Sequence, residues 1–141
     1  MMSNPKKVKG TAWENLLVEL LEENIDGAKA KRIPGSGAIG TIVKEPFLQG
    51  DVRANFEGFG KAFKFEAKVG YGGSKQLTIK KEWLDKIKEE AGNDYSIPAL
   101  ACKFSGARKK DGVQYFVVLD FQTFCDIMNV IYDMNLILED D

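Results

Sequence analysis

The sequence predicts an α/β fold: one domain, with a central mixed β-sheet flanked by helices. Three observations predict it. The chain has 141 residues, the length of a single domain, and is 44% hydrophobic against 29% charged, enough to bury a core. Two central stretches alternate apolar and polar residues, the period of half-buried strands. Three other stretches carry apolar residues at helical spacing.

Taken in order, residues 1–9 are polar and basic (Lys6, Lys7, Lys9) and read as a flexible arm. A helix is expected from about Ala12 to Asn24, where Trp13, Leu16, Leu17, Leu20 and Leu21 share one face. Thr11 is its candidate N-cap, and Asp26-Gly27 marks a turn. AKAKRI (28–33) reads as a short strand, PGSGAIG (34–40) as a flexible loop, and Pro46 argues against regular structure in 41–50. DVRANF (51–56) and KAFKFEAKVG (61–70) alternate around the turn Glu57-Gly58-Phe59-Gly60 and form an antiparallel hairpin. One side of it is apolar; the other carries Asp51, Arg53, Lys64, Glu66 and Lys68.

Beyond a glycine loop (71–75), a second helix is expected from about Thr78 to Ala91. Ile79, Trp83, Leu84, Ile87 and Ala91 face inward on it, and Gly92 is the C-cap candidate. IPALACKF (97–104) is nearly all apolar, hence a buried strand. GARKKDG is a basic turn, and VQYFVVLD (113–120) is another strand. A last helix is expected over about Phe121–Asn135 with Phe124, Cys125, Met128 and Ile131 inward; residues 139–141 form an acidic tail.

Histidine is absent, which excludes Ser-His-Asp and Cys-His catalysis and His-ligated zinc. Chemistry falls to carboxylates, lysines, hydroxyls or a hard metal ion. Cys102 and Cys125 lie far apart in apolar patterns and read as buried thiols of a reducing compartment. No apolar run suggests a signal peptide or a membrane span, so a cytoplasmic protein is expected. Lys+Arg 20 nearly cancels Asp+Glu 21, so polyanion binding must rest on local clusters.

The informative feature is charge on a strand face. Glu66 and Lys68 are two apart and project side by side. A turn centred near 58–60 sets Asp51 roughly opposite 66–68, so two carboxylates and an ammonium converge. Phosphodiester hydrolysis uses such a set: carboxylates hold Mg²⁺, and lysine orients water or stabilises the charged phosphorus centre. In a metal site of this kind the carbonyl of Ala67 could also ligate the ion. Simpler readings exist. A Glu-x-Lys pair is often a solvated face, and Thr11-Ala12-Trp13-Glu14 fits a capping box in which Glu14 only binds the N-cap amide.

Five stretches in order resemble the archaeal-type Holliday-junction resolvases of the PD-(D/E)XK nuclease superfamily: KGTAWENLLVELLEEN, KRIPGSG, GDVRA, FKFEAKVG and IPALACKF. The resemblance implies a restriction-endonuclease-like fold over residues 10–138. It also implies a homodimer that binds four-way DNA junctions by shape, and Mg²⁺ as cofactor, with Mn²⁺ as substitute. Residue by residue, Glu14, Asp51, Glu66 and Lys68 resemble the family's first-helix glutamate, metal aspartate, metal glutamate and catalytic lysine. Arg32 and Ser36 resemble its phosphate-contacting arginine and serine. Gly50 rather than proline precedes Asp51, the segment 36–51 is long, and the last helix extends beyond the family core; such variation suits a phage-encoded or divergent member.

Lys9, Lys75, Lys81 and Arg108 are candidate contacts to the phosphate backbone, with Gln76 a further candidate near the site. Tyr71 and Phe59 could stack on bases or simply anchor loops. Gly35-x-Gly37-x-x-Gly40 matches a dinucleotide fingerprint, but β-prone TIVKEPF follows it instead of a helix, so no nucleotide cofactor is expected. Two rivals remain: another nuclease of this fold, of repair or restriction type, and a non-catalytic junction-binding module.

Overall fold

The structure is a computed structural model that describes residues 5–33, 51–70, 75–106 and 108–140. Its elements are α1 (Pro5–Asn24), β1 (Lys29–Arg32), β2 (Val52–Asn55), β3 (Phe63–Val69), α2 (Lys81–Asn93), β4 (Ile97–Lys103), β5 (Tyr115–Val118) and α3 (Phe121–Asp140). A 3₁₀ turn, Lys109–Asp111, precedes β5. The strands form one sheet in the order β1-β2-β3-β4-β5. β3 and β4 run parallel and every other neighbouring pair is antiparallel, so the sheet is mixed, as expected. The parallel pair requires a crossover, and α2 supplies it.

The two sheet faces differ. On one, Trp13 and Leu17 of α1 pack against Val52, Ala54, Phe63, Phe65, Ala99 and Ala101. Trp13 donates its indole N–H to the carbonyl of Ala101 (3.0 Å) and stacks on Tyr115 (centroids 5.4 Å apart). On the other, Ile87 of α2 packs on Leu100 and Cys102, with Trp83 and Leu84 half-buried around them. The charged side of the β2–β3 hairpin therefore lies on the α2 face, partly covered rather than bathed in water. Lys64 is fully buried there, paired with Asp94 (2.9 Å), which also binds Arg53 (2.8 Å).

Several expectations are corrected. α1 is helical from Pro5 onward, well before Thr11. Thr11 is thus inside the helix, is not an N-cap, and Glu14 is not half of a capping box. Gly92 lies within α2; the chain leaves the helix at Asp94, followed by Tyr95 at φ 60°. In α3 the inward residues are Thr123 and Ile127, whereas Phe124, Met128 and Ile131 are exposed at 48%, 42% and 39%. Cys125 is only half-buried, while Cys102 is buried. Phe59 packs edge-on to Phe63 (5.6 Å), a loop anchor. The 34–40 glycine motif and Tyr71 lie outside the described residues. Among the described residues, no helix is long and apolar enough to cross a membrane.

Candidate active site

The site forms where β2 begins beside the later half of β3. Asp51 stands one residue before β2, and its backbone is held from both sides. Its N–H donates to the carbonyl of Phe65 (2.8 Å), and its carbonyl accepts from the N–H of Ile33 (2.9 Å). Val52 is in register with Phe65, which puts Asp51 opposite Glu66, within the expected 66–68 window. The Asp51 carboxylate is anchored in turn: Oδ2 accepts the N–H of Ala67 (2.8 Å).

Glu66 is 7% exposed, and its Oε1 meets two ammonium groups, Lys68 at 3.5 Å and Lys86 at 3.7 Å. Burial, then the Asp51 charge, push the Glu66 carboxyl above its usual range, against the pull of Lys86 and Lys68. Lys68 lies with Nζ 4.5 Å from the centre of the Trp83 ring, so a cation–π contact steadies it beside Glu66.

Glu14 enters from α1. It faces Arg32 of β1 at 3.7 Å and hydrogen-bonds the Asp51 side chain. Burial and the neighbouring Asp51 push its carboxyl up to about 7, although Arg32 pulls the other way. Near neutrality, a proton on Glu14 is thus stabilised by donation to Asp51. The structure brings Glu14, Asp51, Glu66, Lys68 and Arg32 together, with Ala67 joined through its backbone.

The other expected residues are dispersed. Ser36 lies outside the described residues, and Lys9 is described only as part of the α1 backbone. Lys75 is exposed. Lys81 pairs with Asp85 (2.7 Å), and Arg108 pairs with Asp111 (3.2 Å). Sequence reasoning missed Lys86 and treated Trp83 as core. The only signal for Lys86 was its i,i+4 spacing with Glu90, which it meets at 3.8 Å. A cavity of about 460 Å³ adjoins Lys68, lined also by Ala67, Gln76, Thr78, Lys80 and Trp83. Gln76 therefore does belong to this end of the sheet.

The donor chemistry fits a hard cation: Asp51 and Glu66 offer carboxylate oxygens across one strand pair, with Glu14 beside them. Burial is the first cause of the raised Glu14 carboxyl, and the neighbouring Asp51 charge is the second. Among the described residues, no three acidic or thiol side chains are already drawn together closely enough to enclose an ion. The fit is that of two carboxylates and a supporting third.

No family model and no curated protein matches the chain. Among solved structures, it is similar to the Holliday junction resolvase Hjc of Archaeoglobus fulgidus, with 17% identity and a TM-score of 0.49, covering 82% of this chain and 86% of that one.

Proposed function

We propose that this chain is a Mg²⁺-dependent, structure-selective endodeoxyribonuclease that resolves four-way DNA junctions as a homodimer. The observation that carries the reading is the convergence of Asp51, Glu66 and Lys68 at the β2–β3 register, with Glu14 hydrogen-bonded to Asp51. The choice of a four-way junction and of two subunits comes from the resemblance of the five sequence stretches.

Asp51, Glu66, the Ala67 carbonyl and Glu14 would hold the cation. When bound, Mg²⁺ or Mn²⁺ would supply charge neutralisation at the phosphate and lower the pKa of a bound water. The rest falls to the chain itself. Asp51 keeps its position because three backbone hydrogen bonds fix it and its carboxylate. Lys68 orients the attacking water and offsets charge that builds on phosphorus. Glu14, hydrogen-bonded to Asp51, supports the cation and the water beside it. Arg32, its side chain about one-third exposed, is proposed to meet phosphate through its outer guanidinium nitrogens. Ser36, Lys9, Lys75, Lys81 and Arg108 are proposed for the flanking backbone.

The test is cleavage of labelled four-way junctions and linear duplex with and without Mg²⁺. The wild-type chain should cut the junction in preference to the duplex and only with the metal. Asp51→Asn and Lys68→Ala should abolish cleavage while junction binding survives. Full activity in either variant removes the site assignment. Equal cutting of linear duplex points to another nuclease of this fold, and tight binding without cleavage points to a non-catalytic module.

A further inference from the structure

α3 carries two apolar faces. One turns inward: Thr123 is buried, Ile127 joins the core, and the Met134 methyl lies over Gly58 in the β2–β3 turn. The other has no cover within the described residues. Phe121, Phe124, Met128 and Ile131 stand on it at 80%, 48%, 42% and 39% exposure, with Tyr132 at 62% beside them. Asn135 continues the line and is exposed too. The intervals 121, 124, 128, 131, 135 alternate three and four, which is the seam of a two-stranded coiled coil. The seam exposes roughly 600 Å² of mainly apolar surface, at the upper end of the largest patch a monomer leaves in water.

We propose that this seam is the contact between two copies of the chain, with their α3 helices paired in parallel. Two features select a second copy over another partner. Asn135 needs a polar group in its own layer of the seam. Parallel pairing of identical helices supplies one, a second Asn135 amide, whereas an antiparallel pair would set it against Phe124. The charges also allow it. Asp126 and Asp133 are seven apart on the side away from the seam, and the positions that flank it through 134 are Cys125, Ile127, Tyr132 and Met134, none of them charged. An acidic helix without a single Lys or Arg can therefore meet its own copy without like charges at the join.

This inference deepens the resolvase reading, in which two strands need two active sites. Its test is read without DNA, so failure of the seam and failure of the nuclease reading are separate results. Sedimentation equilibrium at tens of micromolar should give the mass of a dimer. The double variant Phe124→Glu/Met128→Glu should halve that mass while circular dichroism keeps the wild-type helix content, since both side chains are exposed. Asp126→Lys, on the side away from the seam, should remain a dimer. Asn135→Leu should broaden the mass distribution towards larger assemblies, because the register-setting polar layer is gone. A wild-type monomer, or a dimer that survives Phe124→Glu/Met128→Glu, overturns the proposal.

Discussion

Replacing Glu14 with Gln should make the protein more stable at alkaline pH while it loses activity. The carboxyl moves from an ordinary 4.5 to about 7 on folding. A raised carboxyl pKa means that the folded state binds the proton more tightly than the unfolded one. Stability is therefore highest below the ordinary value, falls as pH rises through about 7, and is level above that. Each pKa unit corresponds to about 1.4 kcal/mol, and solvent reaching one side of Glu14 reduces the total to about 1–2 kcal/mol. Gln cannot ionise, and its amide N–H can still donate to Asp51. Urea denaturation without divalent ions should show Glu14→Gln more stable than wild type by that amount at pH 8, with the gap gone at pH 4.5. Equal stability at pH 8, or the same gap at both pH values, would refute the electrostatic account of the site.

Other outcomes follow from the same charges. Asp94→Asn should cost about 3–5 kcal/mol in denaturant titrations, because it leaves buried Lys64 and Arg53 without their carboxylate. Lys64→Met should cost clearly less, since Arg53 still neutralises Asp94; the reverse order would show that the triad is misassigned. Arg32→Ala should weaken junction binding at every sequence and lower the slope of log K against log salt by about one, as for one lost phosphate contact. An unchanged slope would take Arg32 out of the interface.

The strand register was legible because alternation fixes it. Val52, Ala54, Phe63 and Phe65 could point only one way, and with the turn at 58–60 that put Asp51 within reach of residues 66–68; the register sets it opposite Glu66. The fate of the other face was not legible. Nothing near Lys64 announces that Asp94, thirty residues on, will cover it, because that pair depends on how α2 crosses the sheet. The inward face of α3 was misread for a similar reason. Both of its sides carry apolar residues, and the buried side includes Thr123. Its hydroxyl and N–H both donate to Asp120, which caps the helix, so a polar side chain enters the interior already satisfied. Glu14 was ambiguous only while Thr11 could be an N-cap, and the helical turns that precede Thr11 removed that alternative.

One strand shows what separates a structural charge from a chemical one. Lys64 and Glu66 share a face of β3, two residues apart, and both are buried. Lys64 meets a carboxylate that is itself well supplied. Burial raises the Asp94 carboxyl, but donors on Ser96, Lys64 and Arg53 outweigh it and hold it below its ordinary range. That cluster is settled at any pH near neutral and has no reason to bind or release anything. Glu66 shares its surroundings with Asp51, and its carboxyl rises even with two lysines in reach. Glu14 rises with it. Carboxylates held together against their own repulsion, by a backbone fixed between β1 and β3, give up stability that a well-matched cluster would keep. Strained carboxylates of this kind are the ones that gain from exchanging protons or cations, which is why we propose the chemistry at the Asp51 end of the sheet rather than at the Asp94 end.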